Sequence, residues 1–520
     1  MPRGDEKHTL IYRELVNILG TDYVSDDPAV MEAFGRSSWQ PKHQMRPEFI
    51  VLPGSTEDVQ QIIRLANRYL FPFSVTSTGL MMITCSALKP YWCFIDPKRM
   101  NRLEIDEKNM HAIVEPYVTV AQVQADAMKG GLFYPVPGAS SQASALANSI
   151  YHAGHWTSYR TGIGNLVLGI EWVLPTGEVL KIGSLATPGA GYCWGEGPGP
   201  DLRGILRGHY GHLGALGVVT RVAVKLFPWP GPSIWPTEGV QPEKKSTLPP
   251  EKFKSFFLTY PTLEKSIEAM RQIGKAEIGA VVMKFTPFDF VCWASKSNEE
   301  FWERWNDDFW SRQVSNGGHM VWVSLWAFVS ERQLQYEEKV LKEIIQETGG
   351  ELVPDEIHEW LDSCCTPNSV RDTHRLRYMR LGGRVAVPGM VLDTMHDVPR
   401  SIVEALEIKD KYSPPFGDTG RSIKFWPGNF TRLAFTEMDV LSEKSDESER
   451  TMASMLQDQI KIAVENSSPF AFVFRQVNKV GPAFSNIHLI LGKIKNGLDP
   501  NNLANPTRLI DMEEMEKMKM

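Results

Sequence analysis

The pattern that most restricts this chain lies between residues 49 and 75. Phe49-Ile50-Val51-Leu52 is a short apolar run closed by Pro53-Gly54, which reads as a strand and a turn. Ser55 or Thr56 can cap a following helix, with Glu57 and Asp58 acidic in its first turn. Val59, Ile62, Ile63, Leu65 and Ala66 recur at helical spacing through Tyr69. Phe71 to Val75 then reads as a second strand. Strand, helix and strand in so few residues make a compact α/β unit.

Downstream the signals change. His111 to Pro116 reads as a strand and Val120 to Lys129 as a helix. Glu171 to Leu180, with Pro175-Thr176-Gly177 at its centre, reads as a hairpin, and Val218 to Leu226 as a strand. Residues 228–250 are rich in Pro and mark a boundary. Beyond it a strand–helix–strand order occurs twice, over 255–285 and 319–353, which predicts an antiparallel sheet with helices against it. Val440 to Arg450 reads as a charged, solvated turn or linker. Ser485 to Asn496 reads as a helix closed by Gly497.

Three stretches could approach a ligand. Pro137 to Ser149 is a run of small residues, followed by Gly154, Gly162 and Gly164. Small side chains let backbone N–H groups and hydroxyls cradle a phosphate or a flat polar ring, or let two backbones pack tightly. Val75-Thr76-Ser77-Thr78-Gly79 follows a strand, where phosphate loops sit. Gly208 to Thr220 holds four glycines leading into an apolar strand. There is no G-x-x-x-x-G-K-[ST], no G-x-G-x-x-G opening a helix, and no G-x-S-x-G.

Composition excludes several classes. The chain has 520 residues, 42% of them hydrophobic and 22% charged, so a fibrous or wholly disordered protein is excluded. A net charge of −7 gives no global attraction for nucleic acid or anionic membrane. Six cysteines without a CxxC pair argue against a zinc or iron–sulfur cage. The charged N-terminus lacks a signal-peptide core, and no apolar run has the ~18 residues of a membrane span. The expectation is a cytoplasmic protein without a membrane span or nucleic-acid partner.

In this order, the three stretches resemble the FAD-binding domain of the vanillyl-alcohol oxidase and p-cresol methylhydroxylase (PCMH-type) flavoproteins. Pro47 to Gly54 resembles the family's first strand, Thr56 to Leu65 its helix, and Thr76 to Gly79 its pyrophosphate loop. Pro137 to Asn148 resembles the loop that holds flavin and pyrophosphate, and Gly169 to Leu180 its hairpin. Gly195 to Leu202 resembles the segment leading to the strand at Gly214 to Thr220. Leu498-Asp499-Pro500-Asn501-Asn502, with Asn505-Pro506, resembles its closing motif. The resemblance implies an α+β fold: a two-part FAD-binding domain over 1–228, a cap domain with an antiparallel sheet flanked by helices over 229–464, and a return to the FAD domain over 465–520.

The resemblance also implies a site. Cofactor contacts are expected from Thr76, Ser77, Thr78, Gly79, Pro137, Gly138, Ser140, Ser141, Ala147, Asn148, Gly154, Gly214, Gly217, Val218 and Val219. A flavin-linking His found in some relatives is missing from 75–79, so FAD is expected to be noncovalent. The metal motif of a hydroxy-acid branch is missing too; only Phe416-Gly417-Asp418 and Gly428-Asn429-Phe430 stand in its place, so no metal is expected.

Oxidation of an alcohol requires a proton acceptor and a donor near the flavin. His155, Tyr159 and Arg160 are candidates, though such residues also fix loops. In the cap, a helix over Arg371 to Arg384 would put Arg377, Arg380 and Arg384 on one face, suited to a carboxylate. The implied activity is oxidation of a small alcohol or 2-hydroxy acid by hydride transfer to flavin. The alternatives are a para-substituted phenol oxidase or hydroxylase and a non-catalytic flavin-binding subunit. A small-molecule substrate is implied, with room for an electron-transfer partner protein and a homo-oligomer.

Overall fold

The computed structural model describes residues 6–34, 46–79, 89–136, 140–151, 158–161, 166–183, 200–208, 211–372, 384–417, 419–443, 445–466 and 477–518. The first sheet has strands β1 (Val24–Ser25), β2 (Phe49–Val51), β3 (Phe73–Val75) and β4 (Cys93–Ile95), in the order β1-β2-β4-β3. β2 and β3 both run parallel to β4. Helix Thr56–Tyr69 makes the crossover that this parallel arrangement needs. Ser55 caps it by accepting from the Asp58 N–H, and Val59, Ile62, Ile63, Leu65 and Ala66 form its buried face.

A five-stranded antiparallel sheet follows: β5 (Leu103–Asp106), β6 (His111–Val114), β8 (Val167–Val173), β9 (Val179–Ile182) and β10 (Val218–Lys225), in the order β5-β6-β10-β8-β9. Short strands β7 (Leu132–Phe133) and β11 (Phe227–Pro228) pair as a ribbon, as do β12 (Thr237–Glu238) and β13 (Lys245–Ser246).

The third sheet has seven strands: β14 (Phe253–Thr259), β15 (Val281–Phe285), β16 (Met320–Trp326), β17 (Glu351–Leu352), β18 (Arg384–Asp393), β19 (Lys424–Gly428) and β20 (Leu433–Ser442). Their order is β17-β14-β16-β15-β19-β20-β18, and the pairings are antiparallel. Period-two alternation separates its faces. Val282, Val323, Phe425 and Met438 pack with helices Leu263–Lys275, Glu331–Thr348 and Val398–Lys411. Met283, Trp322, Trp426 and Phe435 pack with helices Pro287–Ala294 and Asp355–Val370. Among the described residues no helix is long and apolar enough to cross a membrane.

Three expectations need correction. Neither end of the expected helix over Arg371 to Arg384 is helical. Helix Asp355–Val370 stops where Arg371 turns extended (φ −142°, ψ 95°), and Arg384 opens β18 opposite Ser442. Gly382-Gly383 weakens a helix, and strand pairing takes the residues that follow. Arg377 and Arg380 lie outside the described residues. Val440 to Ser442 are not a solvated turn: they end β20 with Val440 and Leu441 buried, and a helix starts at Asp446. Gly497 does not close the late helix, which runs Ile487–Leu498 and ends at Asp499.

Candidate functional site

Three chain segments meet at the end of β3. The Asn505 N–H donates to the Phe73 carbonyl (2.7 Å), and the Phe73 N–H donates to the Leu503 carbonyl (2.9 Å). The Asn505 side-chain amide donates to the Leu213 carbonyl (2.6 Å), drawing in the 211–217 turn. Gly214 stands at φ +74°, and a Cβ there would lie 3.3 Å from Val75 Cγ1 and 3.8 Å from Asn505 Nδ2. Val75 leads directly into Thr76 to Gly79, whose residues are partly exposed and whose Gly79 has φ +71°.

A buried lysine locks this junction. Lys495 Nζ donates to the carbonyls of Ala215 (2.7 Å) and Ala504 (2.6 Å) and to the Asp499 carboxylate. Asp499 in turn accepts from the N–H groups of Leu503 (3.0 Å) and Ala504 (2.9 Å). Burial, with the Lys495 charge nearby, pulls His212 down to about 4, so its ring is neutral at neutral pH. His212 Nδ1, Asn505 Oδ1 and Thr507 Oγ1 are buried and make no hydrogen bond among the described residues. Each such atom costs about 1–3 kcal/mol unless something satisfies it. A polar ligand against this junction would supply those bonds.

The loop at 140–141 offers another open oxygen. Ser140 has φ +111°, its hydroxyl donates to the Asp372 carbonyl (3.4 Å), and the Ser141 N–H donates to the same carbonyl (3.0 Å). Ser141 Oγ is buried without a hydrogen-bond partner among the described residues. Ser144 Oγ accepts from the Ala147 N–H (3.1 Å) at the start of helix Ala145–Tyr151. On that helix Ala147 is half-buried and Asn148 buried.

Residues 47–183 match the family of the FAD binding domain. The chain carries an FAD-binding domain. Its fold is that of p-cresol methylhydroxylase, which superposes with a TM-score of 0.75 over 99% of each chain at 17% identity. A 4-ethylphenol oxidase from Gulosibacter chungangensis gives 0.73 over 98% of each at 19% identity. In sequence the chain is 25% identical to the glycolate oxidase subunit GlcD of Bacillus subtilis over 280 residues, 53% of each protein. It is 33% identical to the D-2-hydroxyglutarate dehydrogenase of Stutzerimonas stutzeri over 208 residues, 39% of this chain and 42% of that protein. The chain spans about half the length of these relatives.

The donor set fits FAD. Thr76, Ser77, Thr78 and Ser141 supply hydroxyls, and Ser77 to Gly79 backbone N–H groups, in the matched part of the FAD-binding domain. Asn505, Thr507 and His212 add buried polar atoms with open valences. His212, Lys495 and Thr507 were not anticipated from the sequence; the Lys495–Asp499 spacing of one helical turn was the available signal.

Gly217 serves its own neighbours in the FAD-binding domain. At φ +105°, a Cβ there would lie 2.3 Å from the Val173 carbonyl oxygen and 2.9 Å from Trp172 Nε1. The protein itself fills the space that a side chain at Gly217 would take. Val218 and Val219 follow in β10, paired with Val173 and Trp172.

Tyr159 and Arg160, on the turn Ser158–Thr161, tie the FAD-binding domain to the seven-stranded sheet. The Tyr159 ring is fully buried edge-on to Phe430, and burial raises its pKa, so the phenol keeps its proton. Arg160 donates to the Gly279 carbonyl (3.1 Å) and to Glu337 (3.1 Å). His155, Gly154, Pro137, Gly138 and Arg380 lie outside the described residues.

The sheet carries charge that sequence reading missed. Lys424 Nζ lies 2.7 Å from Glu437 and Asp439 on the neighbouring strand β20, and 3.3 Å from Asp289, which is distant in sequence. Burial raises Asp439 well above the ordinary carboxylate range, and Asp289 and Glu437 add to it against the pull of Lys424. On the same face Trp426 stacks on Phe435 at 4.5 Å. The signal was the period-two placing of Lys424 and Trp426, and of Phe435, Glu437 and Asp439. Lys284 is buried with only neutral acceptors, Ser422 Oγ (2.8 Å) and the Ile423 carbonyl (2.9 Å), and burial pulls it down to about 7. Among the described residues no group of His, Cys, Asp and Glu could hold a metal ion.

Proposed function

We propose that the protein is an FAD-dependent oxidoreductase that oxidises a small alcohol or 2-hydroxy acid. The observation that carries this reading is the match of residues 47–183 to the FAD binding domain, in sequence relatives named as oxidases and dehydrogenases of glycolate, D-2-hydroxyglutarate and D-lactate. Bound FAD supplies the two-electron acceptor for the substrate hydride. The chain holds the cofactor through the 76–79 and 140–141 loops and the Asn505–Thr507 return. His155 is assigned as acceptor of the hydroxyl proton and Arg380 as anchor of a substrate carboxylate. Tyr159 and Arg160 serve in positioning, since their partners are in the cap sheet.

A second reading, oxidation or hydroxylation of a para-substituted phenol, is supported by the whole-length structural likeness to p-cresol methylhydroxylase and 4-ethylphenol oxidase, cap included. The Trp426–Phe435 stack gives that sheet face an aromatic surface. Anaerobic titration of the purified flavoprotein separates the readings. Bleaching by glycolate, D-lactate or D-2-hydroxyglutarate, but not by p-cresol or 4-ethylphenol, supports the first. The reverse supports the second. An unbleached flavin with every compound points to a non-catalytic subunit.

A further inference from the structure

Helix Val120–Ala127 holds the backbone of the loop at 141–143. The Val120 N–H donates to the Ala143 carbonyl (2.9 Å), and the Ala121 N–H donates to the Ser141 carbonyl (2.8 Å). Both are first-turn donors that have no acceptor within their own helix. Three residues beyond Ala121, Gln124 is fully buried with both amide hydrogens in use. They go to the carbonyls of Tyr134 (2.9 Å) and Val370 (2.7 Å). Val370 ends helix Asp355–Val370, which lies outside the matched residues 47–183, and its carbonyl is one of the acceptors that a helix end leaves open. Gln124 Oε1 accepts from Arg371 Nε (3.4 Å), and the Arg371 guanidinium stands 5.6 Å from the Trp235 ring centre.

The circuit closes at Asp372. Its carbonyl accepts from the Ser141 N–H (3.0 Å) and from the Ser140 hydroxyl (3.4 Å). Ser141 therefore spends its carbonyl on Ala121 and its N–H on a residue two places beyond the Val370 that Gln124 holds. Ser140 beside it stands at φ +111°, a conformation that a residue other than glycine keeps only when its surroundings impose it. With its backbone tied on both sides, Ser141 keeps one open group: its buried hydroxyl, which has no hydrogen-bond partner among the described residues.

We propose that Gln124 is a positioning residue for FAD: by holding the Val370–Asp372 segment, it fixes the Ser141 hydroxyl for the cofactor without touching the cofactor itself. The inference rests on the FAD reading above. It adds that cofactor affinity depends on a segment 246 residues from Gln124 in sequence. A donor already held in place spares the bound state the cost of ordering it.

The test titrates FAD into flavin-stripped protein, with bound FAD read by equilibrium dialysis and the fold of the same samples by urea unfolding. Gln124→Met keeps the side-chain length and removes both donors. It is expected to weaken FAD binding by about tenfold or more in a protein that still unfolds cooperatively. Arg371→Met, at a partly exposed position, is expected to act in the same direction by less. Because Gln124 acts through Ser141, adding Ser141→Ala to Gln124→Met is expected to cost much less than the product of the two single losses. Ile344→Ala, in the core on the other face of the seven-stranded sheet, lowers stability without touching the circuit and is expected to bind FAD as the parent does. Unchanged affinity in Gln124→Met, losses that multiply in the double variant, or an equal loss in Ile344→Ala overturns the proposal. If Gln124→Met does not fold, unchanged affinity in Arg371→Met overturns it. A parent that takes up no FAD defeats the functional reading as well; a parent that binds FAD beside variants that bind it equally defeats this inference alone.

Discussion

Lys495 and Asp499 form an ion pair in which neither side chain has any exposed surface. One turn of helix separates them, and between them they satisfy two carbonyls and two N–H groups of the loops on either side. A buried pair of this kind adds little to stability over an apolar replacement, but losing one partner strands the other. Its role here is to fix the 499–508 return against β3 and the 211–217 turn, which brings Asn505 to Phe73 and Gly214 to Val75, just before the Thr76–Gly79 loop.

Lys495→Met therefore leaves a buried carboxylate without its counter-ion. It is expected to cost about 3–5 kcal/mol of unfolding free energy, read by urea titration. Flavin content, read from the visible-to-280 nm absorbance ratio, is expected to fall with it. Adding Asp499→Leu is not expected to restore stability, because two backbone N–H groups then lose their acceptor. Wild-type stability in Lys495→Met would show that the junction does not depend on the pair.

Gly217 allows a similar separation of causes. Its missing Cβ faces the Val173 carbonyl and not a ligand, and its φ of +105° suits few residues other than glycine. Gly217→Ala is expected to destabilise the flavin-stripped protein as much as the loaded one. A variant whose stripped form is as stable as the parent's, while FAD affinity drops, would return the glycine to the cofactor.

Much of the scaffold was legible because local chemistry determined it. Helix Thr56–Tyr69 carries its cap and apolar spacing in the sequence, and it stands where the spacing placed it. The residues that failed were those decided by distant partners. Arg384 has helical spacing to Arg377 and Arg380, yet its backbone pairs with Ser442 across a strand. Lys424 meets Asp289 from 135 residues away, and no periodicity announces that contact. The cofactor loops were legible as motifs, but Gly217 shows that a glycine motif alone does not say whether ligand or protein fills the space.

Lys284 gives a pH-dependent expectation. The folded group titrates near 7, while the unfolded group titrates as an ordinary lysine, near 10.4. Between those values the unfolded chain binds the extra proton, so stability rises with pH through this window. Below pH 7 both states are protonated and the full cost of burying the charge is felt. Lys284→Met should therefore be more stable than the parent in neutral or acidic solution. Its advantage should shrink as pH climbs from about 7 to 10, by up to about 1.4 kcal/mol per pH unit. The measurement is the difference in unfolding free energy across that range. A pH-independent difference would mean that Lys284 is not buried as a suppressed cation.

The last expectation concerns how the flavin is held. Thr76, Ser77, Thr78 and Gly79 offer no nucleophile of the linking kind, so a covalent bond would have to come from elsewhere in the chain. Two of the cap histidines are poorly suited. His358 Nε2 lies 3.0 Å from the Ser255 carbonyl and its ring meets Phe257 edge-on, so it is engaged within the sheet–helix packing. His396 stands exposed in the turn before helix Val398–Lys411. Noncovalent binding predicts that acid precipitation releases the yellow colour into the supernatant. Colour kept in the washed pellet would refute it, and peptide mapping of the flavin-bearing fragment would then identify the anchor. If that anchor were His358, the Ser255 contact would have to break on loading. Loss of flavin attachment in His358→Asn, with fold and noncovalent FAD binding retained, would establish it.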